Sequence, residues 1–317
     1  MNNLIVSTSP HLRSKTTTQS IMRDVLIALT PAAIASVVLF GIKALLIISV
    51  CVGTCILSEF LFNLAAKKKQ TVSDLSACVT GLILALSLST KASVWHCIVG
   101  SVFAIVVVKC MFGGIGSNFA NPAATARVFL LTAFANIAGG TPTEFQNVLT
   151  AGATPLSAIK DGVALKKLPS LLEMFIGNRG GAIGETCAIA LILGGLYLIA
   201  RRVINWQTPA IFIGTVYLLS YALCGDAMIA LYQLLGGGVI IAAFFMATDY
   251  STTPINKYGK MVFAFGCGLI TVLIRFFGSY PEGVSFAILI MNIVSPYIEK
   301  LCTVKPFGKV VAKNEEK

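Results

Sequence analysis

Charged side chains and histidine are scarce in this chain. Of 317 residues, 12% are Asp, Glu, Lys or Arg and two are His. A soluble domain carries roughly twice that share of charge, so an ordinary water-facing surface is excluded. His11 lies in a polar tail and His96 near the end of an apolar run, which leaves no facing pair for bis-histidine haem. Nine cysteines are present, but no two form a CxxC. Neither a zinc knuckle nor a cysteine-rich iron–sulfur loop is therefore signalled. Cys51 and Cys55, one helical turn apart, are either two ligands or two small core side chains. Any electron carrier here is not a metal held by an evident motif. A Walker loop and a catalytic-triad pattern are also missing. Gly113-Gly114-Ile115-Gly116 lacks the third glycine and the strand–turn–helix setting of a dinucleotide fold. No basic–aromatic strip occurs, so a nucleic-acid partner is not expected.

What fills the chain is apolar sequence. Apolar residues make up 56%, and the mean hydropathy is +0.85. The length accommodates about ten spans of ~20 residues. We expect an all-α polytopic membrane protein with spans near 23–42, 44–65, 75–90, 92–111, 120–138, 182–200, 208–224, 227–248, 259–277 and 283–299. Residues 1–22 and 300–317 are then tails, and 139–181 is the one long polar interruption. The first twenty residues are polar, with His11, Arg13 and Lys15, so no cleavable leader is expected.

Basic residues set the orientation. With the N-terminus inside and ten crossings, seventeen Lys and Arg fall inside and seven outside. Both termini are then cytoplasmic and the 139–181 loop is external. Five spans, a loop and five more spans suit two inverted repeats, because an odd-numbered unit duplicated in tandem must flip. Asn121-Pro122 to Arg127-Val128-Phe129 resembles Thr253-Pro254 to Lys260-Met261-Val262-Phe263, and each follows a polar loop. Matching interruptions in two halves point to broken or re-entrant helices lining a central site. Ordinary Pro/Gly loops between helices give the same pattern.

Ionisable residues in spans are functional candidates because burying them is costly. Glu59 is the deepest, and Arg127 and Asp249 lie at the expected breaks. Glu59, four residues before Asn63, is either a cation ligand or a helix-packing partner. Asp249, beside Thr248, Ser251 and Thr252, forms an oxygen-rich cluster for a hard cation or a flavin hydroxyl. Asp249 and Glu59 are thus candidates for a Na+ path. Lys109 and Arg275, near span ends, are expected to snorkel to the interface. Gly177-Asn178-Arg179-Gly180-Gly181 reads as the turn that starts the sixth span.

The external loop contains Thr150-Ala151-Gly152-Ala153-Thr154-Pro155-Leu156-Ser157. Pro155 biases Thr154 away from helix, and small neighbours leave its hydroxyl uncrowded. No histidine is near to activate it as a nucleophile. It reads either as an acceptor to which another enzyme attaches a group or as part of a plain loop.

Three stretches stand together in order: Phe112–Leu130, Thr150–Ser157 and Met246–Lys260. With Ser9-Pro10-His11 and Met22-Arg23-Asp24-Val25-Leu26 near the start, the chain resembles the membrane D subunits of Rnf electron-transport complexes. That family is related to the B subunit of the sodium-pumping NADH:quinone reductase. The resemblance implies FMN joined by a phosphoester to Thr154, installed by a separate flavin transferase that uses FAD. Gly152-Ala153-Thr154 match the family motif, whereas Ala151 departs from its usual Ser or Thr. A second, non-covalent flavin (riboflavin or FMN) is a further expectation. Candidate cofactor-binding residues are Thr154 with Gly152, Ala153, Pro155 and Leu156, together with Asn118, Asn121, Arg127 and Asp249. Implied partners are the other Rnf proteins, namely the A and E membrane subunits, the flavin-bearing G subunit and the iron–sulfur B and C subunits, together with membrane lipid. The implied role is a relay between reduced ferredoxin and NAD+, coupled to Na+ or H+ movement across a bacterial inner membrane. No residue reads as a ferredoxin or NAD+ site, so the chain is not expected to be an enzyme alone. The competing expectation is a solute channel of urea-transporter-like fold.

Overall fold

The computed structural model describes residues 16–134, 155–160, 168–177, 179–278, 280 and 282–302. Among them every regular element is helical. The first half comprises α1 (Thr18–Phe40), α2 (Ile42–Ala65), α3 (Ser76–Ser87), α4 (Val94–Val102, continuing as a π-helix over Phe103–Cys110) and α5 (Pro122–Ala133). Two short helices follow, α6 (Pro155–Lys160) and α7 (Leu171–Ile176). The second half comprises α8 (Ala188–Ala200), α9 (Gln207–Cys224), α10 (Ala227–Leu235), α11 (Val239–Ile241, continuing as a π-helix over Ala242–Met246), α12 (Lys257–Phe277) and α13 (Val284–Leu301).

Among the described residues five helices, α1, α2, α9, α12 and α13, are long and apolar enough to cross a membrane, and α10 with α11, bent by 64° at their break, forms either a broken sixth span or a re-entrant loop. Their outward faces are apolar: Ile34, Val38, Ile42 and Leu57 are all more than half exposed. Such faces suit lipid or partner subunits within a membrane, since monomeric soluble proteins rarely expose them. The chain is a multi-pass membrane protein.

Four expected spans are shorter than the apolar runs suggested. α3, α4 with its π-helical end, α5 and α8 occupy 76–87, 94–110, 122–133 and 188–200. Local chemistry accounts for two of the ends. Asn121 accepts from the N–H groups of Ala123 and Ala124, both at 3.1 Å, with Pro122 at the first helical position, so α5 cannot begin earlier. Residues 182–187, expected to open the sixth span, are not helical. The N–H groups of Ile183 and Gly184 instead reach the carbonyls of Leu88 (2.9 Å) and Leu86 (2.7 Å). Those carbonyls lie at the end of α3, where the helix leaves them without partners.

The halves interlock through α1 on α8 and α5 on α13, while α2 packs on α3 and α4, and α9 on α12. Small residues permit the closest crossings. A Cβ on Gly194 would lie 2.0 Å from the Ala28 carbonyl oxygen, and one on Gly195 would lie 2.3 Å from the Phe244 ring. Substitution at either position would push α8 off α1 or α11. Cys51 and Cys55 are fully buried among apolar neighbours, which makes them core side chains. The two stretches matched in sequence share a layout. Each follows a π-helical end (Cys110, Met246), crosses a loop, and enters a helix with asparagine at the N-cap (Asn121, Asn256).

Candidate functional site

Among the described residues, polar clusters are embedded in the apolar body. The first lies where the loops after the π-helices meet. Asn121 donates to Asp249 at 3.5 Å, and Asp249 accepts from Thr252 (3.1 Å) and from the Ser251 hydroxyl (3.2 Å). Asn292 of α13, its amide oriented to suit both neighbours, donates to the Thr252 carbonyl (3.2 Å) and accepts from the Asn121 N–H (2.9 Å). A cavity of about 80 Å3 adjoins this cluster, with Asn118, Asn121, Asp249 and Lys109 in its wall. It continues into a wider vestibule of about 460 Å3 through the shared residues Ile21, Met22, Ile115 and Tyr250. The vestibule falls within the size range of small-ligand sites. Asn118 Oδ1 is buried with no donor among the described residues. An orphaned amide acceptor needs a donor from a ligand or water, and the imide N–H of a flavin supplies one. The residues here fit such a group.

Beside this cavity, Lys109 departs from expectation. Rather than reaching to the interface, its ammonium lies 2.8 and 2.9 Å from the two Glu59 oxygens and 2.5 Å from the Ser76 hydroxyl. Thr71 also donates to Glu59 (2.7 Å), and Asn63 donates to Thr71 (3.0 Å). The π-helical turn over 103–110 carries Lys109, and such turns re-aim side chains relative to a regular helix. Asp249 and Glu59, both candidates for a cation path, therefore sit in separate networks, with Lys109 touching Glu59 and lining the cavity of Asp249.

The second cluster surrounds the break between α10 and α11. Arg127 Nη2 lies 2.8 Å from Glu185 and 2.5 Å from Glu282. Arg275 is buried, contrary to the expected snorkelling, and its guanidinium donates to the carbonyls of Gln233 and Gly236. Arg179, expected only as a turn residue, donates to the carbonyls of Leu235 and Glu185, both at 2.7 Å. A helix C-terminus leaves unpaired carbonyls and a partial negative charge, and the two guanidinium groups answer both at the end of α10. At the start of α11, Gly238 brings its backbone close to Glu185. A Cβ there would meet the Glu185 carboxylate at 2.7 Å. Three arginines face two glutamates in this buried group, so positive charge exceeds negative. Burial first, and the Glu185 carboxylate second, push Glu282 up to about 7, while Arg127, Arg275 and Arg179 pull the other way. The Nε atoms of Arg127, Arg179 and Arg275 lack acceptors among the described residues.

Of the candidate flavin-acceptor stretch, Gly152, Ala153 and Thr154 lie outside the described residues. Pro155 and Leu156 begin α6 and are buried. Leu156 packs directly on the helix break, because a Cβ on Gly237 would lie 2.8 Å from Leu156 Cδ1, 2.8 Å from Arg275 Nη2 and 3.4 Å from Glu282 Cγ. Asn121 and Asp249 are thus brought together with Asn118 in one cavity wall, whereas Arg127 belongs with Leu156 at the other cluster. Glu185, Glu282, Arg179 and Asn292 were not anticipated. Only the cost of burying their charge or amide within a hydrophobic chain could have marked them.

A bundle of apolar helices with one sharply bent pair and polar clusters buried among the described residues defines a multi-pass membrane protein. Comparison with known proteins narrows this. The NQR2, RnfD, RnfE family matches residues 5–308, and the chain belongs to that family. It is 43% identical over 317 residues to the D subunit of the Na+-translocating ferredoxin:NAD+ oxidoreductase complex of Acetobacterium woodii, covering 99% of this chain and 98% of that one. It is 38% identical to the D subunit of the proton-translocating ferredoxin:NAD+ oxidoreductase complex of Clostridium ljungdahlii, covering 97% of both. A third relative, the D subunit of the ion-translocating oxidoreductase complex of Halorhodospira halophila, is 34% identical over 95% of this chain.

Proposed function

We propose that this chain is the D subunit of an Rnf-type complex in a bacterial inner membrane. There it relays electrons between reduced ferredoxin and NAD+ while Na+ or H+ is moved. The observation that carries the reading is the end-to-end match to proteins so named. FMN is joined through its phosphate to Thr154 on the external side, by a flavin transferase, and a second flavin is held non-covalently at the Asn118–Asn121–Asp249 cavity. When bound, a flavin exchanges one or two electrons and so connects two-electron and one-electron partners.

The chain's own residues position and insulate. Asn118 and Asn121 supply oriented amides, Asp249 fixes Asn121 through its side chain, and the apolar wall excludes water. Leu156 clamps the segment that follows Thr154 onto the α10–α11 break, beneath the positive excess of the arginine cluster. The body is ten crossings in two inverted five-helix halves, 23–138 and 182–299, joined by the external loop 139–181, with both tails cytoplasmic. The repeated order of π-helical end, loop and asparagine-headed helix supports this division. The A, E, G, B and C subunits of such complexes would cover exposed apolar faces together with lipid. A solute channel of urea-transporter-like fold is the other reading that a bent helix pair allows, but it needs an open path. Arg127, Glu185 and Glu282 fill the break instead.

Expression with and without a flavin transferase, followed by a denaturing gel read for flavin fluorescence, tests the tether. The band should fluoresce only with the transferase, and Thr154→Val should extinguish it. Fluorescence that survives Thr154→Val would remove the assignment.

A further inference from the structure

A cavity of about 140 Å3 lies where the α8–α9 loop, the start of α9 and the start of α12 meet the stretch after Met246. One water needs only ~10–15 Å3. The wall carries two cations, Arg202 and Lys260, and no carboxylate among the described residues. Neither cation has an acidic partner among them, although the neighbouring Arg201 pairs with Asp24 at 3.2 Å. Hydroxyls line the cavity as well. Thr248, Tyr250 and Thr253 donate to the carbonyls of Phe244, Val203 and Asp249. Thr208 differs from them: it is 3% exposed, yet its hydroxyl makes no hydrogen bond among the described residues. That oxygen is not sealed in, and the little surface Thr208 keeps borders this cavity. The 18-residue α9 begins one residue earlier with no side-chain cap. The N–H groups of its first turn therefore lack partners, and its positive dipole end adjoins Thr208.

We propose that this cavity is an anion site that takes a phosphate group between Arg202 and Lys260. The Thr208 hydroxyl and the first N–H groups of α9 donate to its oxygens. The proposal is independent of the flavin reading. Helix N-termini bind phosphate through N–H groups and dipole together. Arginine presents a planar fork that matches two phosphate oxygens, and lysine adds a compact point charge. Two like charges exclude a metal cation, and a neutral ligand gains nothing from them. Two sources carry the required chemistry, the headgroup of an acidic phospholipid and a free phosphate-bearing solute. Trp206 heads α9 and Tyr258 lies in the first turn of α12, both exposed. Such aromatic side chains mark the boundary between bilayer and water. Either source can reach the site there.

The test uses the purified complex in a mild detergent and two probes, inorganic phosphate and dioctanoyl phosphatidylglycerol, each titrated by calorimetry. Lipid phosphorus is assayed beforehand. A phospholipid retained by the wild type and lost in the Arg202→Gln/Lys260→Gln double variant counts as binding of the lipid. Saturable binding of the lipid identifies a headgroup as the source, and saturable binding of inorganic phosphate identifies a solute. Either result supports the site. Thr208→Val, nearly equal in size, should weaken the probe that binds by about tenfold, the worth of one hydrogen bond to a charged group. The double variant should abolish saturable binding. Lys257→Gln removes an exposed charge of α12 outside the cavity and should leave the affinity at the wild-type level. Failure of both probes to bind and of any phospholipid to be retained would overturn the site. So would an affinity unchanged by Thr208→Val and by the double variant. An equal loss in Lys257→Gln would overturn it too, by assigning the binding to diffuse surface charge. If the double variant fails to assemble, Thr208→Val set against Lys257→Gln decides alone.

Discussion

Lys109 and Glu59, fifty residues apart in sequence, meet through both carboxylate oxygens at 2.8 and 2.9 Å, deep in the protein. Removing one partner of such a pair leaves the other charge stranded. Lys109→Met or Glu59→Gln alone should therefore cost about 3–5 kcal/mol, whereas the double variant should recover much of the loss. Thermal unfolding in detergent measures this. Additive losses would show that the two groups do not depend on each other.

At the helix break the close contacts predict steric sensitivity. Gly237 has φ of 56° and its missing Cβ faces Leu156 and Arg275 at 2.8 Å. Gly237→Ala should destabilise by about 1–3 kcal/mol through overpacking and should also lower covalent flavin occupancy, because it displaces Leu156. Gel fluorescence normalised to protein reads the second effect. Occupancy equal to wild type would separate the flavin acceptor from this anchor.

Much of this architecture was legible in sequence. Asn121-Pro122 and Thr253-Pro254 stood out as interruptions, and the cost of charge in an apolar run pointed to Glu59, Arg127 and Asp249. The partners of those charges were not legible. Glu185 and Glu282 lie 58 and 155 residues from Arg127, and no local periodicity links them. Lys109 and Arg275 were misread as snorkelling because proximity to a span end was taken as proximity to water. A π-helical turn and a helix C-terminus, both invisible to hydropathy, draw them inward. The shortness of α8 was hidden for a similar reason, since Ala182-Ile183-Gly184 is apolar yet serves as a backbone partner for α3.

Glu282, in the link between α12 and α13, makes stability depend on pH. Its carboxyl is pushed up from 4.5 to about 7 by burial and by Glu185. The folded protein holds this proton more tightly than the unfolded chain. The stability so contributed is complete below the ordinary Glu range and is lost as pH rises through about 7. The unfolding midpoint should fall between about pH 5 and about pH 8, and Glu282→Gln should flatten that decline. An equally steep decline in the variant would assign it to another group.

The orphaned Asn118 amide predicts where a loosely held flavin binds. Asn118→Leu should reduce acid-extractable flavin per complex while leaving gel fluorescence from the tethered flavin unchanged. Asn121→Ala is the poorer probe, since it also removes the cap of α5, which costs about 1 kcal/mol. Full retention of extractable flavin in Asn118→Leu would place that flavin elsewhere.

The central claim is that a flavin phosphate is esterified to Thr154, and peptide mass mapping of the purified protein tests it most directly. The peptide spanning 150–157 should be heavier by one FMN less one water, with fragmentation assigning the increment to Thr154. An unmodified peptide from a complex that transfers electrons, or an increment on any other residue, would contradict the account.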